Sequence, residues 1–306
     1  MSTRIRELAK WATSLTLSEA RPGTLQRVRL QHLHMAAACR ESADARIARV
    51  LRAAGSKRGA ARLIGGKSAS RRDAVRLHVG LATWLNQTDH LFWGSSGPGA
   101  VPSAWAMSKD KTTGDLLRAT LAANEIGGRL GASVFLGPQG SGASAAITAL
   151  SSAVSCGLLE GLDTEQLAHA MALALTNAGS MAPHVLRSGA DGRALLQAVP
   201  AVRGLEAVAM AKAGMTGPLG LLDGPDGLLE ELCWTPLPNA FSGLGSAWLS
   251  DSLAFSFCPA HRSAEVAVEA VGEILARHMK AAGRRLRPDQ VDRVEVHTSF
   301  PAVLAE

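Results

Sequence analysis

The sequence predicts a mainly α-helical protein with a large apolar core, and three observations carry this prediction. Apolar residues recur at helical spacing through most of the chain, many of the apolar stretches are built from small side chains, and a strand-like alternation occurs at residues 291–298. With 306 residues, of which 47% are hydrophobic, the chain is long enough for one large core or two ordinary domains.

Two helices are predicted at the start of the chain. Ile5, Leu8 and Trp11 share one helical face, and a second periodic run extends from Leu25, through Leu33, to residue 55. Residues 53–72 mix Gly, Ser and Arg without periodicity and predict a loop. Its basic side chains are interpreted as a solvated surface in preference to an anion site.

The next helix is expected to open at Asp73 and to deliver Asp89 and His90 to a glycine-rich loop over residues 93–108. Residues 112–133 are predicted to be helical. Within them, Glu125 and Arg129 have the i, i+4 spacing of an ion pair, for which we expect a structural role.

Glycines and a proline interrupt the segment 130–159, whose side chains are all uncharged. A buried helix is therefore predicted there in place of a membrane span. Asp163 and Gln166 have the spacing of a capping box, and the helix they begin is expected to stop at Gly179. A further helix is predicted from Pro200 to Ala213, and the C-terminal region contributes an amphipathic helix at 263–283 and a strand at 291–298.

Composition narrows the class of function. The chain has 32 Lys and Arg against 26 Asp and Glu, a net charge of +6, which suits an anionic metabolite and falls short of the charge expected for nucleic-acid binding. The 4 cysteines are far apart, so neither a disulfide framework nor a zinc site is predicted. We expect a cytoplasmic protein with no metal, no cofactor and no membrane partner.

Several motifs follow one another in a recognisable order. They are NQTDH at 86–90, GDLLRATLAANEIGGRLG at 114–131, the Gly- and Ala-rich stretch 140–180, AKAGMTGP at 211–218, LDGPDGLL at 222–229 and FSFCPAH at 255–261. This order resembles the MmgE/PrpD family, the 2-methylcitrate dehydratase-like proteins that also include cis-aconitate decarboxylases.

The resemblance implies an architecture and a partner. It implies an all-helical domain over residues 1–260 and the beginning of a truncated α+β lid domain over 261–306, with the active site between them. It also implies a homodimer, and a chain bearing the rest of the lid is the alternative partner.

The sequence departs from the family at positions that carry its proton chemistry. Nonionisable or altered residues stand there: Trp93, Ser95 and Ser96 at acidic positions, Gly97-Pro98 for His-Pro, Leu136 for a histidine, Arg193 for a lysine, Leu196 for a histidine, and Ser256-Phe257-Cys258-Pro259 for Lys-x-Tyr-Pro. We therefore expect the usual family chemistry to be largely lost.

Few candidate site residues are left. Arg193 can clamp a carboxylate with two N–H groups but cannot serve as a base, because a guanidinium has no neutral form at working pH. His90 with Asp89 is the acid/base candidate, and the alternative is that either side chain merely caps the turn. Further substrate-binding candidates are His184, Arg187, His261 and Arg262, for which structural roles remain open.

Three hypotheses follow for the function. The first is a divergent lyase or isomerase acting on a small carboxylate or another anionic metabolite. The second is a non-catalytic scaffold or paralogue subunit. The third is one half of a split enzyme that another chain completes.

Overall fold

The protein is mainly helical, as the sequence predicts. The computed structural model describes residues 3–55, 58–92, 94–138, 142–177, 185, 188–259 and 262–297, with the backbone alone at 262 and 263. The chain forms two compact units, Met1–Phe255 and Ser256–Glu306, whereas the sequence suggested a boundary after residue 260.

The helices are named in chain order. They are α1 Arg4–Ser14, α2 Pro22–Glu41, α3 Arg46–Ala53, α4 Arg71–Trp84, α5 Gly97–Ala106, α6 Thr113–Ser133, α7 Ala143–Glu160, α8 Thr164–Leu175, α9 Leu195–Lys212, α10 Leu228–Leu232 and α11 Arg262–Ala282. Short 3-10 turns span Leu17–Glu19, Asp191–Ala194, Pro238–Phe241, Leu249–Ser252 and Pro288–Gln290.

The structure also contains two short antiparallel strand pairs, one local and one between distant segments. Strand β1 (Ala61–Arg62) pairs with β2 (Ser68–Ala69), and β3 (Asp89–His90) pairs with β4 (Ala254–Phe255). In the second pair Asp89 faces Phe255 and His90 faces Ala254. This pairing fixes the backbone of the segment that the sequence singled out as an acid/base candidate.

Helix α7 lies at the centre of the first unit and packs against α5, α6, α8 and α9. Small residues let these backbones approach closely: a Cβ on Gly204 of α9 would lie 2.4 Å from the carbonyl oxygen of Ala149 in α7. By length and composition α7 and the segment Asp191–Lys212 would suit a membrane, but 83% of the α7 window is buried inside the protein. Its apolar character is therefore that of a core helix, as predicted.

The expected second helical run is divided in the structure. Helix α2 ends at Glu41 and α3 begins at Arg46, and Leu33 is exposed instead of facing the core. On α2 the buried side is defined by residues such as Val28 and Met35, which places Leu33 on the outer side.

The prediction of a glycine-rich loop at 93–108 is largely wrong, because residues 97–106 form α5. Pro98 stands in the first turn, where a missing N–H costs nothing. A Cβ on Gly99 would lie 2.2 Å from the Thr148 carbonyl oxygen, so the glycine allows α5 to dock on α7. The loop predicted at 53–72 likewise contains the β1–β2 pair.

Helix α9 begins at Leu195, five residues before the predicted start at Pro200. Pro200 lies inside the helix and removes one backbone donor, while the neighbouring Ala198, Ala201 and Val202 are buried. The packing of these side chains stabilises the helix, although a proline in a helix interior is expected to break it. Its end is as predicted, because Gly214 follows with the left-handed φ of 98°.

Two predictions near the ends of helices and strands need separate mention. Gly179, the expected stop of α8, lies outside the described residues, and α8 ends at Leu175. The strand expected at 291–298 is wrong over the described residues 291–297, where Val294 and Val296 are exposed and no strand is formed. Alternation alone does not make a strand, because a strand needs a hydrogen-bonded neighbour.

Candidate functional site

Asp89 is fully buried and holds three elements together through its carboxylate. Its Oδ2 accepts hydrogen bonds from Gln31 Nε2 of α2 at 3.0 Å and from the Gly97 backbone N–H of α5 at 3.1 Å. Its Oδ1 accepts one from Ser95 Oγ at 2.9 Å. These three hydrogen bonds replace the hydrogen bonds to water that the carboxylate loses on burial.

The Asp89 contacts continue into a second buried polar group. Asn124 of α6 donates to Gln31 Oε1 at 2.8 Å, and its own Oδ1 accepts from Gln31 at 3.2 Å and from Ser96 Oγ at 2.7 Å. Ser95 and Ser96 therefore act as hydrogen-bond donors to buried oxygens. Sequence reasoning missed Gln31 and Asn124, because neither lies near Asp89 in the chain.

His90 follows Asp89 in β3 and is half-buried. Its backbone is held by the pairing with Ala254. The interpretation of Asp89 as a side chain that caps a turn agrees with its bond to the first residue of α5. A catalytic role for His90 and Asp89 stays a prediction.

Arg193 is held in a fixed orientation by Trp84, the last residue of α4. The guanidinium carbon lies 4.7 Å from the centre of the Trp84 ring, and Nη2 donates a hydrogen bond to the Trp84 carbonyl oxygen. Stacking on an aromatic face suits the planar guanidinium and restricts its rotamers. No carboxylate lies within ion-pair distance of Arg193 in the part of the chain that the structure describes.

Gln197 lies about one helical turn after Arg193 and connects α9 to the start of α7. Its Oε1 accepts from Thr148 Oγ1 at 2.7 Å, and its Nε2 donates to Ser144 Oγ at 3.0 Å. These three polar residues were not predicted from the sequence. The only available signal was their position in a stretch that is otherwise apolar.

A series of contacts connects the elements that carry Asp89 and Arg193. Asp89 bonds to the first residue of α5, α5 docks through Gly99 on Thr148, and Thr148 bonds to Gln197. Arg193 lies one turn before Gln197 and donates a hydrogen bond to Trp84 at the end of α4. Trp84 precedes Asp89 by five residues. We refer to Asp89, His90, Thr148, Arg193 and Gln197 as the candidate site.

The remaining predicted site residues are not part of the candidate site. His184, Arg187 and His261 lie outside the described residues. Arg262 is the first residue of α11, and only its backbone is described. Substrate binding by these four residues stays a prediction.

The Glu125–Arg129 pair has the structural geometry expected of it. Both side chains are buried, with Nη2 and Oε2 separated by 3.4 Å. Glu125 also accepts from the backbone N–H groups of Leu249 at 3.0 Å and Ser250 at 2.8 Å, and Arg129 donates to the Ala247 carbonyl at 2.7 Å. Burial raises the pKa of Glu125, while these donors and Arg129 oppose the rise. The pair thus fixes the 240–250 segment to α6.

These features define a mainly helical domain whose candidate polar residues come from α7, from strand β3 and from the start of α9, around a core of small residues. The family model of the MmgE/PrpD N-terminal domain matches residues 6–237, most of the chain, and the protein therefore belongs to the MmgE/PrpD family. The motif-based resemblance is confirmed. No curated protein matches the sequence.

Proposed function

We propose that the protein is a divergent lyase or isomerase of its family that acts on a small carboxylate or a similar anionic metabolite. One observation carries the proposal: Arg193 is stacked on Trp84 and donates one N–H to its carbonyl oxygen. A guanidinium has five N–H donors in a rigid fork, so donors remain for a substrate carboxylate. Held in this way, Arg193 loses little further rotamer freedom when it binds an anion.

Arg193 serves as the binding group in this proposal, and the proton transfer falls to another side chain. The guanidinium stays protonated at working pH and stabilises the negative charge that develops when a proton leaves the carbon next to a carboxylate. His90 is the acid/base candidate, because an imidazole can accept and return a proton near neutral pH. Asp89, next to it, holds the segment in place through Gln31 and Gly97.

Gln197 and Thr148 position the binding group in this proposal. Their hydrogen bond joins the first turn of α9 to α7, one turn from Arg193. A displacement of this turn by about 1 Å would move the guanidinium relative to the reacting atoms, which is costly in catalysis. In this proposal the partner that binds the protein is a second copy of the chain, in a homodimer, or a chain that carries the rest of the lid.

A non-catalytic subunit is the second candidate, and Asp89 is the observation that favours it. Its carboxylate is fully buried and already accepts three hydrogen bonds. A carboxylate in that state serves structure well and is poorly placed to collect a substrate proton. The protein would then retain the shape and the anion site of its family without turnover.

The first candidate is tested by thermal unfolding with citrate, methylcitrate, aconitate and related acids. Specific binding raises the melting temperature, by mass action, in the wild type. Arg193→Gln should abolish the rise for the acid that binds. Arg46→Gln is the matched control. Arg46 forms an ion pair with Asp191, which belongs to the same 3-10 turn, Asp191–Ala194, as Arg193. An undiminished shift in Arg193→Gln would refute the assignment of the binding group.

A further inference from the structure

A strained residue follows the acid/base candidate His90 in the chain. Phe92 has a positive φ of 55°, in the left-handed region that a bulky side chain seldom adopts. It lies in a tight turn, because Leu91 and Gly94 exchange both backbone hydrogen bonds, at 2.8 Å and 3.1 Å. The turn types that suit a loop of two residues need a positive φ at the first of them, where Gly, Asn or Asp is favoured. Phenylalanine is therefore an unfavourable residue for the turn itself.

Burial does not explain the phenylalanine either. Phe92 is 61% exposed, so its ring gains little from packing within the fold that would offset the strain. Strained residues persist where the surrounding structure holds them, and they cluster at sites that bind ligands. An exposed aromatic ring on a strained turn thus indicates contact with a molecule outside the fold.

The residues on either side of Phe92 anchor the turn to two core helices. Leu91 is 1% exposed, and a Cβ on Gly128 of α6 would lie 2.7 Å from its side chain. A Cβ on Gly94 would lie 2.7 Å from the end of Ile147 in α7. The turn therefore fits closely against both helices where glycines make room for it. This packing fixes the backbone from which the Phe92 ring extends.

Phe92 lies close to residues of the candidate site. Two Cα–Cα steps separate it from His90, so the two Cα atoms are at most about 7.6 Å apart. On the other side of the turn, Gly94 packs on Ile147, which directly precedes Thr148 in α7. A substrate that exchanges a proton with His90 is therefore within reach of the Phe92 ring.

We propose that Phe92 determines substrate specificity, as the residue against which an apolar chain of the substrate lies. This inference rests on the lyase or isomerase function proposed above. Arg193 is the one permanent cation among the five residues of the candidate site, so it pairs with a single carboxylate. The substrate class is then a monocarboxylic acid with an apolar chain. Contact between this chain and the ring removes apolar surface of both from water.

Two 3-hydroxy acids test the proposal, because 3-hydroxybutyrate and 3-hydroxyoctanoate differ only in the length of the apolar chain. In isothermal titration calorimetry the wild type should bind the longer acid about tenfold more tightly. Phe92→Asn removes the ring and places there a residue that tolerates the left-handed region. This variant should reduce the preference to about twofold or less and leave the affinity for 3-hydroxybutyrate unchanged. Phe92→Leu, which keeps an apolar side chain, should retain part of the preference.

Controls separate the contact with the chain from effects on the fold and on the carboxylate. Leu33→Asn changes a residue that is 66% exposed on the outer side of α2, and it should leave the preference unchanged. Arg193→Gln should weaken the binding of both acids. The urea midpoint of Phe92→Asn should equal or exceed that of the wild type, because the strain is relieved and little packing is lost.

The possible outcomes distinguish the specificity proposal from the proposed function. A preference that Phe92→Asn leaves unchanged would overturn the specificity proposal, and so would an equal loss of affinity for both acids. A lower urea midpoint in Phe92→Asn would also overturn it, because the ring would then serve the fold. If the wild type binds acids through Arg193 without preferring the longer chain, the specificity proposal fails and the proposed function stands. If no acid binds through Arg193, both fail.

Discussion

The backbone N–H of Gly97 donates to the Asp89 carboxylate at 3.1 Å, and the absence of a side chain on Gly97 makes this approach possible. A Cβ at residue 97 would lie 2.3 Å from Asp89 Oδ1 and 2.8 Å from the end of Met35. The first residue of α5 thus serves as donor and as spacer. This contact, together with the hydrogen bonds from Gln31 and Ser95 and the β3–β4 pairing, holds the candidate acid/base segment in place.

Gly97→Ala should therefore destabilise the protein by about 1–3 kcal/mol, as expected for overpacking at a buried site. The measurement is equilibrium unfolding in urea. Gly23→Ala in the first turn of α2 is the matched control, because a Cβ there meets nothing within 4 Å. A Gly97→Ala protein as stable as the wild type would show that Asp89 is not held in this way.

Removing one partner of the buried pair on α6 should be costly. Glu125→Ala leaves Arg129 buried without its counter-charge and frees the N–H groups of Leu249 and Ser250, so a loss of about 3–5 kcal/mol in unfolding free energy is expected. Glu273→Ala breaks an exposed i, i+4 pair with Arg277 and should change little. Equal losses in the two variants would contradict the structural role given to Glu125.

A buried histidine, His78, and a half-buried one, His32, make stability sensitive to acid. Burial lowers the pKa of His32 to about 4 and that of His78 to about 4, from the ordinary value of 6.5. Both rings are held neutral by donors: Trp105 Nε1–H donates to His32 Nδ1 at 3.1 Å, and the Ile64 N–H donates to His78 Nε2 at 3.1 Å. Between pH 6.5 and 4 the unfolded chain therefore binds more protons than the native protein, and stability falls as the pH falls.

The pH effect is measured as the urea midpoint at several values between pH 7.5 and 4.5. Each histidine should contribute a slope of up to about 1.4 kcal/mol per pH unit within this window. His78→Gln should flatten the profile, whereas His297→Gln, at an exposed position, should not. An identical slope in the wild type and His78→Gln would exclude His78 as a source of acid sensitivity.

The orientation of Arg193 by Trp84 should be visible in ligand affinity. Trp84→Leu removes the ring under the guanidinium but keeps the backbone carbonyl that accepts from Nη2. For the acid that raises the melting temperature, we expect affinity to fall by about 1 kcal/mol, roughly fivefold, in isothermal titration calorimetry. Trp248→Leu controls for the general loss of a tryptophan. Unchanged affinity in Trp84→Leu would show that the stacking does not prepare Arg193 for an anion.

Helix ends that depend on residues close together in the sequence were predicted correctly. Asp163 and Gln166 form the predicted capping box at the start of α8, and Gly214 ends α9, because each relation spans only a few residues. The start of α9 was misjudged because the rule for Pro200 is local, whereas the packing that tolerates the proline comes from α4, α5 and α7. Tertiary packing decided the outcome there.

The candidate site was less predictable, since its contacts join distant segments. Gln31 and Asp89 are 58 residues apart, and Thr148 and Gln197 are 49 apart. No local pattern marks such pairs. Asp89 and Arg193 were recognised through the family resemblance, whereas the fixation of Arg193 by Trp84 became evident only from the folded chain.

Exchange of substrate protons in D2O, followed by proton NMR, tests the proposed chemistry most directly. A lyase or isomerase that removes a proton next to a carboxylate replaces it with deuterium even when the full reaction is slow. We expect at least one acid that binds through Arg193 to lose its proton signal next to the carboxylate, and His90→Gln to stop the loss. Binding through Arg193 with no exchange or product for any acid would contradict the catalytic account and favour the non-catalytic subunit.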